Sequence, residues 1–400
     1  MNTVPIRSLV ERTKQRDPEK LGCDSITYVD ISSIDRQSKR ITNPQVLAVK
    51  EAPSRARKLI HAEDVLVSTV RPNLNSVALV SDEYHNEIAS TGFCVLRAKK
   101  DCLVSRYLFY FTQTSGFVSH LTKLSIGAGY PAVSDDTILD MEIPLPPLPE
   151  QKHIAAVLAK ADRLRRLRRT ARHLSDTYLQ SVFLEMFGDP MTNPMGWERA
   201  TIGEVVASSQ YGTSKKSNAD QRGYPVLGMG NVTYSGRIEL TSLSYVELSE
   251  EEFERLRLVP GDIIFNRTNS TELVGKTSHW NYKFDAVLAS YLVKLKLKKS
   301  VLPDYYATLL NTGYYKRLFQ ERCKKAVGQS NISPTLLKEF PILIPSLPLQ
   351  QQFARIVNKF ERLRAQQREA QRQAEHLFQT LLHRAFRGEL NTDPKGLQDP

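Results

Sequence analysis

Three loops join small polar side chains to cations: Arg71-Pro72-Asn73-Leu74-Asn75, Tyr211-Gly212-Thr213-Ser214-Lys215-Lys216 and Asn266-Arg267-Thr268-Asn269-Ser270. Arginine can bond bidentately to guanine and asparagine to adenine, while lysine, serine and threonine suit phosphate oxygens, so this composition fits the reading of duplex DNA. It also fits a plain solvated turn. Position favours the first reading. Arg71 and Arg267 each follow a strand-like run, Glu63-Asp64-Val65-Leu66-Val67 and Gly261-Asp262-Ile263-Ile264-Phe265, and Ala128-Gly129-Tyr130-Pro131 has a counterpart in Val327-Gly328-Gln329-Ser330. One scaffold carried twice with different loop residues would read two different short sequences. The candidate contacts are Arg71, Asn73, Asn75 and Tyr130 in the first half. In the second they are Tyr211, Thr213, Ser214, Lys215, Lys216, Asn231, Arg267, Thr268, Asn269, Lys276, Gln329, Ser330 and Asn331.

The chain lacks the constellations that would act on DNA unaided. An adenine methyltransferase needs an Asn- or Asp-Pro-Pro-aromatic loop around the flipped base, and no such tetrapeptide occurs. Gly275-Lys276-Thr277 resembles the end of a phosphate-binding loop, but Ser270 stands where that motif requires its first glycine. Pro303-Asp304 ahead of Glu321-Arg322-Cys323 resembles a metal-dependent nuclease motif with cysteine in place of the lysine. The 8 histidines form no His-Glu-x-x-His pair, and Cys23, Cys94, Cys102 and Cys323 form no C-x-x-C, which speaks against a zinc site or a disulfide framework. The expectation is a chain with no catalytic residue, metal or cofactor of its own.

Lys and Arg number 55 against 43 Asp and Glu, a formal charge of +12, which suits an acidic partner such as double-stranded DNA. No apolar run approaches the roughly 20 residues that span a bilayer, and the N-terminal stretch lacks the apolar core of a signal peptide. No membrane partner and a cytoplasmic location are expected.

The elements that position these loops follow from an internal repeat. The segment Gly129 to Phe187 matches Gly328 to Phe386 without a gap, so the order is domain, helix, domain, helix. In each copy a proline cluster, Pro146-Pro147-Leu148-Pro149 or Pro345-Ser346-Leu347-Pro348, precedes about 38 residues free of Pro and Gly, enough for a helix of about 57 Å. Gly188-Asp189-Pro190 and Gly388 mark the ends. Ile154, Val157, Ala161, Leu164, Leu167, Ala171, Leu174, Tyr178 and Val182 recur at steps of three or four, as do Phe353, Ile356, Phe360, Leu363, Ala370, Leu377 and Leu381. Such narrow seams predict helices that pack on each other as a coiled coil. A twofold relation between the copies makes the pair antiparallel. Two amphipathic helices each covering a separate sheet remain the alternative.

The stretches before each helix hold short β-type runs, Ser25 to Val29, Ser76 to Val80 and Ala289 to Leu295, and helical spacing over Tyr107 to Leu121 and Tyr305 to Phe319. The fold class is therefore α+β, with two mixed α/β domains joined by two long antiparallel helices in a pseudo-twofold repeat. The boundaries expected are a first domain over 1–146, a helix over 147–188, a second domain over 189–345, a helix over 346–390 and a flexible tail over 391–400. Arg163, Arg165, Arg166, Arg168, Arg169 and Arg172 wrap more than one helix face; they read equally as a solvated face or as cations that meet DNA phosphates or an acidic partner.

Pro147-Leu148-Pro149-Glu150-Gln151-Lys152-His153-Ile154-Ala155, the later Phe183-Leu184-Glu185-Met186-Phe187-Gly188-Asp189-Pro190 and the second copy at Leu347-Pro348-Leu349-Gln350-Gln351 resemble the conserved regions of type I restriction-modification specificity subunits. In layout the resemblance covers the whole chain. It implies two target recognition domains, each binding one half of a bipartite DNA site. It also implies two modification subunits, which carry S-adenosylmethionine and methylate adenine, and restriction subunits that translocate and cleave DNA. The loop Asn266 to Ser270 with Val274-Gly275-Lys276-Thr277 is similar to loops of other such domains. One departure is Leu349 where the first copy has Glu150, so the two helix starts need not meet the modification subunits alike. A coiled-coil scaffold whose end domains bind proteins is the competing class, and charge and loop chemistry weigh against it.

Overall fold

The computed structural model describes residues 2–127, 129–326 and 328–390; Ala128, Val327 and the tail expected over 391–400 lie outside them. The chain divides into two compact units, one built from residues up to Thr170 with those from Glu369 onward, the other from Ala171–Arg368. The long helices span Leu148–Phe187 and Leu347–Ala385, so each gives one part to each unit.

The two units share a topology. Val10–Glu11, Phe93–Ala98, Val65–Ser68 and Val77–Leu79 form an antiparallel sheet in that order, and Val206–Tyr211, Leu292–Leu297, Ile263–Asn266 and Thr277–His279 form its counterpart. A second sheet, of four strands in the first unit and three in the second, contains one parallel pair, Ser25–Val29 with Ile88–Ser90 in the first unit and Tyr224–Leu227 with Val287–Leu288 in the second. The matched strand starts are built alike. Glu63 and Gly261 both take left-handed φ values, 71° and 98°, and the next side chains, Asp64 and Asp262, accept the backbone N–H of His61 and Val259 at 2.8 and 2.9 Å.

The segment before each long helix is closed at its ends by its own backbone. Thr3–Pro5 pairs with Glu142–Pro144, and Glu198–Thr201 pairs with Pro341–Ile344. The helical stretches expected from Tyr107 and Tyr305 are each broken into two, Ser105–Phe111 with Ser115–Leu124 and Pro303–Leu310 with Gly313–Arg322. In the first unit the break falls where the Thr112 hydroxyl donates to the Phe109 carbonyl and the Thr114 hydroxyl caps Phe117 N–H. Hydroxyl side chains compete for backbone groups in this way and favour helix ends.

Where the proline clusters deliver the chain to the long helices, a buried glutamine fixes each start. Gln151 donates to the carbonyls of Cys102 and Pro146 at 3.0 and 2.9 Å and accepts Val104 N–H at 2.9 Å. Gln350 repeats all three bonds, to Ser300 and Pro345 at 3.1 and 2.8 Å and from Leu302 N–H at 2.8 Å. The first helix ends at Phe187 before Gly188, whose φ of 78° is the left-handed conformation that closes many helices.

Within each unit the two helix segments run antiparallel: Arg165 meets Glu375 and Phe378 in the first, and Ser175 meets Gln367 and Tyr178 stacks on Phe360 in the second. The pairing is the coiled coil expected, but its buried face is displaced from the expected leucines. Leu167 and Leu174 are 57% and 60% exposed, and Leu164, Tyr178, Leu363 and Leu377 are exposed as well. The buried positions include the expected Ile154, Ala161 and Phe353, with Leu158, Asp162, Arg165, Ser175 and Phe183 on one helix and Val357, Arg364, Ala374, Phe378 and Leu382 on the other. The helix ends bury apolar groups in the unit cores, while the middle buries charge and hydrogen bonds. Apolar periodicity could not locate that polar middle.

Replacing Gln350 by leucine removes three buried hydrogen bonds and leaves their backbone partners without a replacement. Urea unfolding of Gln350→Leu should show a loss of at least about 2 kcal/mol, whereas a loss within error would mean that the helix start is not held by this side chain.

Candidate DNA-recognition surface

The structure gathers loops that are far apart in the sequence. In the first unit Arg71 N–H donates to the Pro131 carbonyl at 2.6 Å and Val70 bridges Ala132, which sets the Arg71 loop against the Tyr130 loop. The Arg71 guanidinium carbon then lies 4.6 Å from the centre of the exposed Tyr130 ring. Arg71 and Asn75 both take left-handed φ values, 49° and 45°, on either side of the short turn Pro72–Leu74. Such values are costly for residues with a Cβ, so the loop shape is imposed by its surroundings. Asn73 is exposed at the tip.

In the second unit three loops meet at one arginine. Thr268 and Asn269 pair with Asn331 and Ser330 as a short antiparallel ladder, which joins the Arg267 loop to the Gln329 loop. The Arg267 guanidinium carbon lies 5.0 Å over the Tyr211 ring, bringing in the third loop, and Nη1 donates to the Ser290 carbonyl at 3.2 Å. Nε is buried with no partner among the described residues, so the guanidinium is held by the Ser290 carbonyl and the Tyr211 ring. Gly212 follows Tyr211 because a Cβ there would come 2.2 Å from the Leu288 carbonyl oxygen. Sequence reasoning missed Ser290 and Tyr291, whose carbonyls hold the Arg267 side chain and backbone N–H. Only the strand register brings them there.

The candidate residues separate by burial. Thr213 is half-buried, and its hydroxyl accepts Lys215 N–H, while Ser214, Lys216 and Gln329 are exposed. Lys215 reaches solvent but pairs with Glu252 at 2.6 Å. Asn269 accepts the N–H of Ser270. Four candidates are buried among the groups that shape the loops. Asn231 accepts Gly228 N–H and donates to the carbonyls of Glu239 and Ser242. Lys276 donates to the Met229 carbonyl at 2.8 Å, and burial pushes its ammonium below the ordinary lysine range. Ser330 bonds Thr271, and Thr268 accepts from Asn331. Their side chains brace the loops that carry Arg267.

Among the described residues, no group of three or more His, Cys, Asp or Glu is placed to hold a metal ion, and no helix is long and apolar enough to cross a membrane. The sites are thus two stacked guanidinium groups on duplicated frames, flanked by amide and hydroxyl side chains.

The family described as type I restriction modification DNA specificity domain matches residues 4–172 and 194–375, so the chain belongs to that family, whose members supply sequence specificity rather than catalysis. It is 27% identical over 362 residues to the EcoKI type I restriction enzyme specificity subunit of Escherichia coli K12, covering 83% of this chain and 75% of that one. It is 34% identical over 173 residues to the MjaX type I specificity subunit, described as putative, of Methanocaldococcus jannaschii, covering 42% and 40%. A chain from a structure addressing complex assembly and conformational transition of the type I R-M system superposes with a TM-score of 0.62 at 28% identity over 97% of this chain and 98% of that one. The S subunit of a type I system from M. genitalium gives a TM-score of 0.55 at 14% identity over 96% of each chain, a likeness of fold.

Because Lys276 is turned onto the Met229 carbonyl, Lys276→Met should leave both DNA sequence preference and the salt dependence of binding unchanged. A fall of about 0.9 in the slope of log K against log salt would instead place its ammonium on a phosphate.

Proposed function

We propose that this chain is the specificity subunit of a type I restriction-modification enzyme, in which each unit reads one half of a bipartite double-stranded DNA site. The first half is read at the Arg71 and Tyr130 loops, the second at the loops gathered around Arg267. The long helices set the spacer between the halves. The chain assembles with two modification subunits, which hold S-adenosylmethionine and methylate adenine, and with restriction subunits that translocate and cleave. Its place is the cytoplasm, with the cell's DNA. The observation that carries the reading is the duplication of one frame with different residues at equivalent loops, a stacked arginine at the centre of each.

The chain's own residues position and discriminate. Stacking on tyrosine and one backbone carbonyl, Gly129 for Arg71 and Ser290 for Arg267, hold each guanidinium while leaving further N–H donors for a base or phosphate. Each reading segment ends in strands that pair with each other, so a segment can be exchanged without unravelling the remainder.

The direct test is methylome sequencing of cells with and without the chain, and with residues Asn193 to Pro345 exchanged for those of a relative. Methylated adenines should vanish without the chain, and the exchange should alter one half-site alone. Methyl transfer by the purified chain free of partner subunits would sink the reading. Within the second unit, Arg267→Ala should cost about 1–3 kcal/mol and relax discrimination at one position. A competition assay against single-base variants checks this, and intact preference would move the reading head to the Tyr211 to Lys216 loop.

A further inference from the structure

In the first unit the hairpin Ile34–Asp35 to Arg40–Ile41 leans on the first long helix, where Arg169 donates to the Gln37 carbonyl at 2.9 Å. The next tip residue but one, Lys39, has a left-handed φ of 56°, and its ammonium donates to the Asn75 carbonyl at 2.5 Å. Hairpin, reading loop and helix therefore meet at one place.

That place is crowded with positive charge. Arg36, Lys39 and Arg40 of the hairpin share it with Arg165, Arg166 and Arg169 of the helix, and the carboxylates nearby are Asp35, Asp162 and Glu375. Asp162 and Glu375 are engaged by the helix arginines, and Asp35 accepts the Ser38 hydroxyl and the backbone of Gln37 and Ser38. Among the described residues Arg36 and Arg40, both exposed, form no ion pair. Burial and the neighbouring Arg165 push the Lys39 ammonium down to about 8. An excess of cations held this close repels itself unless a counter-charge arrives.

The shared frame does not require the cluster. The second unit has the equivalent hairpin, bridged at Val232 and Ile238, with Thr233, Tyr234, Ser235, Gly236 and Arg237 at its tip. Its helix carries Ala365 where the first carries Arg166. Tyr234 there is covered by Lys316, whose ammonium lies 3.3 Å from the ring centre and donates to the Tyr234 carbonyl. The second unit thus keeps Arg237, Arg364 and Arg368 at the places of Arg40, Arg165 and Arg169, and lacks counterparts of Arg36, Lys39 and Arg166.

We propose that the hairpin and helix of the first unit form a phosphate cradle, in which Arg36 and Arg40 hold the DNA backbone next to the half-site read at the Arg71 loop. This rests on the reading of the chain as a DNA specificity subunit. Exposed guanidinium groups without a shaped cleft suit an anion that is shared by every sequence, not a base edge. The Lys39 bond to Asn75 makes the cluster continuous with the reading loop, so a duplex docked at Arg71 brings its phosphates within reach.

The test measures binding of the full chain to fluorescent duplexes, its own site and random sequence, over a salt series. In the double variant Arg36→Ala with Arg40→Ala the slope of log K against log salt should fall by about 1 to 2, at roughly 0.9 per phosphate released. Preference among single-base variants of the site should persist, and Arg36→Lys with Arg40→Lys should restore the slope. Thermal unfolding of each variant accompanies the titration; if the double alanine variant loses its fold, the single variants are titrated, each expected to lose up to about 0.9 of slope. An unchanged slope in folded variants overturns the cradle. So does an altered base preference, or an unchanged slope with lost assembly onto the modification subunits, which would make the cluster a protein contact. Failure of the unaltered chain to show any salt-dependent binding would bring down the function reading and the cradle together, whereas failure of the variants alone spares the former.

Discussion

The arrangement depends on one constraint, that a helix of 40 residues, about 60 Å long, must keep a buried face beyond the reach of either core. The apolar clusters take its ends, Ile154 to Ala161 in one unit and Phe183 to Phe187 in the other. Between them the seam is held by ions. Arg165 is 5% exposed, with Nε 2.7 Å from Asp162, Nη1 3.1 Å from Glu375 and its guanidinium carbon 3.7 Å over the Phe378 ring. Burial pushes the Glu375 carboxyl up, yet Arg165 and Arg169 outweigh it and hold the group below the ordinary range.

Ions of this kind add little net stability, because the desolvation of each charge offsets much of the attraction. Their contribution is to register. Leucines along the middle of the seam could pack almost as well one turn away, whereas an arginine that needs two carboxylates and an aromatic face has one position. In the second unit Arg364 and Gln367 meet Ser175 in the same manner.

This explains which features were legible in the sequence. Length, proline clusters and terminal glycines depend on local backbone chemistry, so both helices and their ends were readable, as was the duplication. The seam was not. Leu164, Leu167 and Leu174 carry the strongest apolar period, but the buried face follows Asp162, Arg165 and Ser175, which hydrophobicity alone assigns to solvent. The loops were identified singly, and their meeting was hidden because it depends on strand pairs about 60 residues apart, Thr268 with Asn331 and Val70 with Ala132. Burial of Lys276, Asn231 and Ser330 was hidden for the same reason.

The two stacked arginines show how a fixed frame carries variable loops. Arg71 and Arg267 leave equivalent strands, yet the tyrosine under each comes from a different place, the loop at Tyr130 in one unit and the strand end at Tyr211 in the other. In these two units the frame is indifferent to which segment supplies the aromatic face beneath the guanidinium. That indifference lets the loops diverge without disturbing the core. Among the described residues the buried Arg267 Nε has no protein partner, and the side chain makes a single carbonyl bond. Under the proposed function, a guanidinium held by one carbonyl and a tyrosine face keeps donors for a DNA contact.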